Sequence, residues 1–339
     1  MSSSNTTDAD AIASWNRASD LINRYLPIFI YIFGITGNIL NVFILIQRPL
    51  RLSPSSAFFS VSSIAGLIAI ISGLTTRMLA GYTADLTLTI SWICKARNYV
   101  LYTARTVALW LIALATIDRW LVSSVIVHRR HISTLKNAGR GIILIIIFAC
   151  LINSPIIYYY EAGLTGTLRG CYGSTYAGRV ITDVIYAVIT TIIPLSMMIC
   201  FGLLTIRNIR YRPSRIQNIA MITLTYDNKH RRPSVYHIQK STKLDKHLLK
   251  MLAVQVTLLV LLTCPHAIQK AYTSISSSSS SQTLQDAIAT FIFNLVTLFN
   301  FTASGLPFYI YTLAGGSIYR NALLHLLKTA VLKILCRKR

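Results

Sequence analysis

The sequence predicts an all-α membrane protein: a seven-transmembrane helix bundle with its N-terminus outside, its C-terminus inside and a short amphipathic C-terminal helix. Three observations support this fold class: the composition, the lengths of the apolar runs and the placement of the basic residues. Of 339 residues 53% are hydrophobic and only 13% are charged, and the mean hydropathy is +0.55. A soluble chain of this length needs a larger charged surface, so the composition excludes an ordinary cytosolic enzyme and a disordered chain.

Seven apolar runs are long enough to cross a bilayer as helices. Six of them, of 19 to 33 residues, contain no Asp, Glu, Lys or Arg: 25–47, 52–76, 141–160, 184–206, 251–269 and 287–319. About 20 helical residues cross the hydrocarbon core. The seventh run, 98–117, contains Arg105, a charge that a span tolerates when it faces a polar interior. Lipid requires helices here, because each backbone polar group must be satisfied within its own segment.

The basic residues predict the orientation. With the N-terminus outside, the cytoplasmic segments hold 24 of the 33 Lys and Arg but three of the ten Asp and Glu: 48–54, 118–140, 207–250 and 315–339. This asymmetry follows the positive-inside rule. The chain then divides into an extracellular N-terminal tail (1–24), a seven-transmembrane domain (25–314) and a cytoplasmic amphipathic helix and tail (315–339). The net charge of +23 is assigned to topology and to contacts with membrane lipids, and no nucleic acid is expected.

The outer cysteines predict one disulfide bond. Of six cysteines only Cys94, at the start of the third span, and Cys171, between the fourth and fifth, face the oxidising side. A bond between them would tether that loop over the bundle; two free thiols are the alternative. Asn5 lies in an Asn-Thr-Thr sequon and is a candidate for glycosylation. Cys336, followed by Arg-Lys-Arg, is a candidate for palmitoylation.

Several spans contain short motifs, which in chain order are Gly37-Asn38, Asp118-Arg119-Trp120, Pro194, Pro265 and Pro307-Phe308-Tyr309-Ile310-Tyr311. Together they resemble the motifs of the rhodopsin-like, class A G-protein-coupled receptors. They keep the order and spacing of that family over about 25–335, and Cys94 precedes Arg119 by the family's 25 residues. The Asp-Arg-Trp sequence resembles the family's Asp-Arg-Tyr, and the last motif resembles a degenerate Asn-Pro-x-x-Tyr. The QRPLRLS turn and the FYIYTLAGG ending are most similar to invertebrate neuropeptide receptors of the FMRFamide-receptor kind.

Four positions depart from the pattern of that family. Gly66 stands where the family usually has Asp, and Leu306 replaces the Asn before Pro307. The family's sodium site is therefore expected to be missing. Thr263 occupies the place of the family's switch Trp, and Gly202 that of a Tyr in the fifth span. The family's activation relay cannot be carried over unchanged.

The resemblance implies a G-protein-coupling site at the cytoplasmic ends of the helices. Its expected members are Asp118, Arg119, Asp245 and Tyr311. An ion pair between Arg119 and Asp245 would hold the third and sixth spans together at rest, and activation would break it to admit a partner helix of a heterotrimeric G protein. The alternative is that Asp245 is an exposed acid in a basic loop.

Arg105 is the strongest candidate for binding an extracellular ligand. It lies 14 residues before Arg119, which places both on one helix face, and about 16 Å below Cys94. We expect Arg105 to anchor an acidic group or an amide. The alternatives are an internal salt bridge with Asp183 and a snorkelling side chain. Leu101 shares this face and cannot bind an ammonium, which argues against a biogenic amine. Further ligand candidates are Asp183, His266, Gln269 and Lys270.

The sequence favours a receptor over an enzyme. It contains no HExxH, GxSxG or Walker motif, so we expect no catalytic residues, no cofactor and no metal. The predicted protein is a multi-pass plasma-membrane receptor for an extracellular ligand, a peptide by its resemblance. A transporter or channel is one alternative, although no internal repeat of the kind common in transporters is seen. A receptor-fold protein that no longer signals is the other.

Overall fold

The fold is a bundle of long helices with one small pair of strands. A computed structural model of the chain describes residues 2–47, 50–80, 86–124, 126–163, 171–224, 253–272, 284–314, 319–326 and 328. In chain order the helices are α1 (Ser2–Leu45), α2 (Pro54–Ala80), α3 (Ser91–Ser123), α4 (Val127–Ile132), α5 (Leu135–Ile152), α6 (Pro155–Tyr159), α7 (Tyr176–Val184), α8 (Ile193–Leu224), α9 (253–272), α10 (Leu284–Gly305), α11 (Pro307–Ala314) and α12 (319–326). Short 3₁₀ turns occupy Leu50–Leu52 and Leu86–Leu88, and a π-helical segment fills Ile185–Ile192 between α7 and α8.

Six helices of the described residues are long and apolar enough to cross a membrane. They are Ala9–Leu45, Pro54–Leu79, Ser91–Ser123, Leu135–Tyr159, Tyr176–Ile209 and Leu284–Gly305. The run with Arg105 is among them. The remaining predicted span, 251–269, coincides with helix α9, of which the structure describes 253–272. Three polar side chains of α9, Gln255, His266 and Lys270, are buried inside the bundle.

The small strand pair lies beside the first turns of α3. Strands β1 (Tyr160–Ala162) and β2 (Cys171–Gly173) are antiparallel, and Ala162 pairs with Cys171. Cys171 is bonded to Cys94 in α3, which is the disulfide that the sequence predicts. The bond holds the strand pair against the bundle. We call this end of the bundle the outer end, and the opposite end the inner end.

Helix α1 continues through the segment predicted as an N-terminal tail. It begins at Ser2, well before the first apolar run at residue 25. Its outer turns pack on α10: the rings of Trp15 and Phe291 lie 5.0 Å apart, edge to face. The Asn294 side-chain amide donates a hydrogen bond to the Ser19 hydroxyl at 2.7 Å. Residues before the first span therefore form part of the bundle wall.

Small residues allow α1 and α10 to approach closely near the middle of the bundle. A Cβ atom added to Gly305 would lie 2.8 Å from the Gly34 Cα, a backbone atom that cannot rotate away. Close backbone approach of this kind is how membrane helices gain packing without a hydrophobic driving force. Asn38 fixes the contact, because its side-chain amide donates to the carbonyls of Gly34 at 2.8 Å and Ser304 at 3.1 Å.

We predict that Gly305→Ala lowers the free energy of unfolding by about 1–3 kcal/mol, because the new methyl group pushes α1 and α10 apart. Thermal unfolding of the purified protein in detergent measures the loss. Gly139→Ala in α5 is the matched control: no atom lies within 4 Å of its added Cβ. An alanine there removes only backbone freedom from the unfolded chain, so stability is unchanged or rises slightly. Equal unfolding temperatures for Gly305→Ala and wild type would contradict the close contact.

The fifth span contains a wide π-helical turn directly before its proline. Pro194 has no N–H to donate, and its ring crowds the carbonyl one turn earlier. The wider π-helical turns of Ile185–Ile192 relieve this crowding. Within the segment the Thr191 hydroxyl donates a hydrogen bond to the Tyr186 carbonyl at 3.1 Å. Such π-bulges are frequent at functional sites. Tyr186 is turned into the bundle and is 3% exposed.

Candidate ligand cavity and cytoplasmic face

A cavity of about 620 Å³ opens between the outer ends of the helices. Its walls come from α1, α2, α3 and α10, with the strand pair on one side and the π segment and α9 on another. Ligand pockets commonly have volumes of about 300–1,000 Å³. The cavity is therefore large enough for a small molecule or for the end of a peptide.

Arg105 lies at the floor of this cavity. Its side chain is 6% exposed, and its guanidinium carbon lies 4.5 Å from the centre of the Phe301 ring. Nη1 donates a hydrogen bond to the Tyr186 hydroxyl at 3.3 Å. Nη2 is buried and has no hydrogen-bond partner among the described residues. The helix thus presents a buried cation to the cavity with one of its donor groups unused.

A cluster of polar side chains joins four helical segments beside Arg105. The Tyr186 hydroxyl accepts a hydrogen bond from the Asn300 side-chain amide at 2.6 Å and lies 3.0 Å from His266 Nδ1. Asn300 Nδ2 is also 2.9 Å from that imidazole nitrogen. The cluster connects α3, the π segment, α9 and α10. Thr263, which stands in the place of the family's switch Trp, donates a hydrogen bond within its own helix, to the Leu259 carbonyl at 2.6 Å.

Asp183 and Lys270 form a buried salt bridge next to the cavity. Lys270 Nζ lies 2.5 Å from Asp183 Oδ1, and each side chain is 1% exposed. The Tyr172 hydroxyl donates a hydrogen bond to the other carboxylate oxygen. Lys270 also lies 4.5 Å from the centre of the Tyr102 ring, a cation–π contact. The pair ties α7 to α9, and Tyr172 in β2 attaches the strand pair to both.

The predicted ligand residues separate into two groups in the structure. Leu101, Arg105 and His266 line the cavity. Asp183 and Lys270 are bonded to each other, so the alternative of an Arg105–Asp183 ion pair is not formed. Gln269 is half-buried in α9 and does not line the cavity.

Helix α1 contributes to the cavity, which the hydropathy pattern does not predict. Asp20, Asn23 and Arg24 line it, although they lie in the segment predicted as a tail. Their spacing of three and one residues places them on one helical face, a pattern that could have extended the helix before the first apolar run.

Tyr160 adds a second unused donor to the cavity wall. Its hydroxyl is buried without a hydrogen-bond partner among the described residues, and the side chain is 1% exposed. Burial raises the pKa of the Tyr160 phenol well above its ordinary value. The hydroxyl therefore keeps its proton at physiological pH and can donate a hydrogen bond.

The family's sodium site does not fit the residues present. A small cavity of about 30 Å³ below Arg105 is lined by Asn38, Gly66 and Asn300 among others, and by no carboxylate. A Cβ on Gly66 would already lie 3.2 Å from Asn38 Oδ1 and 3.3 Å from the Ser304 carbonyl. The Arg105 cation forms part of the wall. A site without an acid and with a fixed positive charge does not bind a hard cation.

At the inner end, serine hydroxyls surround the predicted coupling residues. Asp118 is 5% exposed and accepts hydrogen bonds from Ser55 in α2 and from Ser133, the latter at 2.5 Å. Arg119 Nη2 donates to the Ser53 hydroxyl at 3.3 Å. Asp118 therefore fastens α3 to α2 and to the segment after α4.

The remaining predicted site residues differ in how far the structure describes them. The Tyr311 hydroxyl donates to Gln255 Oε1 at 3.0 Å, which joins α11 to α9 at the inner end. Asn5 lies within the first turns of helix α1. Asp245 and Cys336 lie outside the described residues.

Long membrane-crossing helices, an outer disulfide and a deep cavity at the same end define a seven-helix membrane receptor. The chain belongs to the rhodopsin family of 7 transmembrane receptors, because the model of that family matches residues 37–304. The class A resemblance and the all-α seven-helix fold are thereby confirmed. The protein is a multi-pass receptor of the plasma membrane and not an enzyme.

Galanin receptors are among the proteins similar to this chain. Galanin receptor type 2 of Rattus norvegicus is 25% identical over 175 residues, which cover 52% of this chain and 46% of that receptor. The Homo sapiens receptor of the same name is 24% identical over 208 residues, or 61% and 52%. Galanin receptor 2a of Danio rerio is 24% identical over 199 residues, or 58% and 53%. The chain spans about half the length of the curated relatives that it matches.

Proposed function

We propose that this receptor binds an extracellular peptide in the outer cavity and activates a heterotrimeric G protein at its inner end. The observation that carries the proposal is the cavity of about 620 Å³ with Arg105 on its floor. The similarity to galanin receptors supports a peptide ligand. Leu101, Arg105 and His266 are the proposed ligand contacts.

The polar cluster below the cavity offers a route from ligand to G protein. Arg105 bonds to the Tyr186 hydroxyl, and that hydroxyl contacts His266 in α9 and Asn300 in α10. A ligand that draws Arg105 toward itself changes the partners of Tyr186 and therefore the positions of α9 and α10. Ligand binding would shift an equilibrium between inactive and active arrangements of these helices.

The test is a G-protein activation assay in cells that express the full chain. A peptide library is applied, and nucleotide exchange is measured for each G-protein class. A peptide that activates the wild-type receptor but not the Arg119→Ala variant, at equal surface expression, supports coupling through the Asp-Arg-Trp motif. Ion currents or solute uptake without G-protein activation would identify a channel or transporter instead. Binding of peptides without either signal would identify a receptor-fold protein that does not signal.

We predict that Asp245→Ala raises ligand-independent signalling. The proposed Arg119–Asp245 ion pair holds the third and sixth spans together at rest, so its removal favours the open arrangement. Basal G-protein activation is measured at matched surface expression. Asp227→Ala, in the same cytoplasmic segment, is the control and is expected to leave basal activity at the wild-type level. Equal basal activity in both variants would leave Asp245 as an exposed acid of a basic loop and reject the lock.

A further inference from the structure

Arg105 is a buried cation whose charge the surrounding protein leaves only partly compensated. Its described contacts are the Tyr186 hydroxyl at 3.3 Å and the face of the Phe301 ring at 4.5 Å, and both are neutral groups. The guanidinium is more than nine-tenths buried, and its Nη2 has no hydrogen-bond partner among the described residues. Buried charges are stable in proteins when an opposite charge and hydrogen bonds accompany them. Among the described residues no acid forms an ion pair with Arg105.

Asp183, the acid considered as a partner for Arg105, forms its ion pair with Lys270 instead. Asp183 is bonded to Lys270 at 2.5 Å and accepts a further hydrogen bond from Tyr172. Among the described side chains that line the cavity there are four arginines and one carboxylate, Asp20. The arginines are Arg24, Arg77, Arg97 and Arg105. The described lining of the cavity therefore holds more basic than acidic side chains, and Arg105 lies at its floor.

A second donor on the cavity wall complements the guanidinium. The Tyr160 hydroxyl is buried, has no hydrogen-bond partner among the described residues and lines the same cavity. A planar guanidinium and a hydroxyl that both donate match a group with several acceptor oxygens and a negative charge. A neutral amide would satisfy the hydrogen bonds of Arg105 and leave its charge without a counter-ion.

We propose that the ligand of this receptor is acidic at its inserted end and seats a carboxylate on Arg105 at the cavity floor. The inference rests on the proposed function for the place of binding, and it adds the chemical class of the ligand. The carboxylate can come from a free peptide C-terminus or from an Asp or Glu side chain. Both sources present the same two oxygens to the guanidinium.

The test uses two pairs of small probes on the full chain in lipid nanodiscs. N-acetyl-phenylalanine and its amide differ only in the carboxylate of a chain end. N-acetyl-aspartic acid α-amide and N-acetyl-asparagine amide differ only in a side-chain carboxylate. Affinity is obtained from the rise of the thermal unfolding temperature with probe concentration. We expect at least one of the two acids to bind at least about tenfold more tightly than its amide. The pair that shows this preference identifies the source of the carboxylate.

Two variants separate the role of Arg105 from a general effect of charge. Arg105→Gln is expected to reduce the acid-to-amide ratio of affinities to about one. Arg129→Gln is the matched control, because Arg129 lies over the Trp120 ring at the inner end, 5.0 Å from its centre. It should keep the wild-type ratio. An equal loss in both variants would overturn the assignment to Arg105.

Three further outcomes distinguish a failure of this inference from a failure of the proposed function. Equal binding of acid and amide in both pairs overturns the inference even if Arg105→Gln does not fold, because that comparison uses the wild-type protein. Activation of a G protein by a neutral peptide, with unchanged potency in Arg105→Gln, overturns the inference and leaves the proposed function intact. A preference for acids that depends on Arg105, without G-protein activation by any peptide, supports the inference and removes the proposed function.

Discussion

Replacing Lys270 with methionine is expected to lower the free energy of unfolding by about 3–5 kcal/mol. The Lys270 ammonium and the Asp183 carboxylate lie 2.5 Å apart, and each side chain is 1% exposed. Methionine fills a similar volume but leaves the carboxylate charged in surroundings that solvate it poorly. Tyr172 bonds to the same carboxylate, so the strand pair is expected to loosen as well. Unfolding of the purified receptor in detergent measures the loss.

A second substitution distinguishes the buried charge from the lost side chain. The double variant Lys270→Met, Asp183→Leu should regain most of the stability, because a well-packed apolar pair can replace a buried ion pair at little cost. Gln269→Met, one residue away and half-buried, is the control and should change stability by less than about 0.5 kcal/mol. A double variant as unstable as Lys270→Met alone would contradict this account.

Replacing Cys94 with serine is expected to lower the free energy of unfolding by about 4 kcal/mol. The disulfide joins residues 77 positions apart, so its loss returns a large amount of chain entropy to the unfolded state. It also releases β2, whose Tyr172 holds the Asp183 carboxylate. We expect little receptor at the cell surface. Antibody labelling of intact cells and thermal unfolding of the purified protein measure the two effects.

The controls for the disulfide use the other cysteines of the chain. Cys150→Ser changes a half-buried free thiol in α5 and should leave surface expression close to wild type. The double variant Cys94→Ser, Cys171→Ser should match the single variants, because all three lose the same bond. Wild-type stability of Cys94→Ser under oxidising conditions would show that the bond does not hold this end of the bundle.

The fold can be predicted from the sequence where it depends on the lengths of the apolar runs. Runs such as 141–160 predict spans without further information, because lipid accepts little besides a helix of that length. The run 98–117 is harder to assign, because Arg105 interrupts it, yet its helix is among those long and apolar enough to cross a membrane.

The site is harder to predict than the fold, because it depends on which polar side chains form ion pairs and hydrogen bonds with one another. Periodicity along α3 places Leu101 and Arg105 on one face, and both line the cavity. No local pattern indicates that Asp183 bonds to Lys270, 87 residues later, because that choice depends on helix packing. The outer part of α1 was missed for a different reason. This part of α1 is polar and lies before the first apolar run, so hydropathy does not predict a helix there.

The π segment before Pro194 affects how residues of the fifth span are matched to those of other receptors. One added residue in the turn rotates everything on its outer side by about 100° relative to a regular helix. Counting back from the proline therefore assigns the wrong face to positions in the outer part of the π segment and beyond it. Tyr186, eight places before Pro194, has to be compared with relatives by its neighbours in space, since an ungapped alignment pairs it with a side chain that points in another direction.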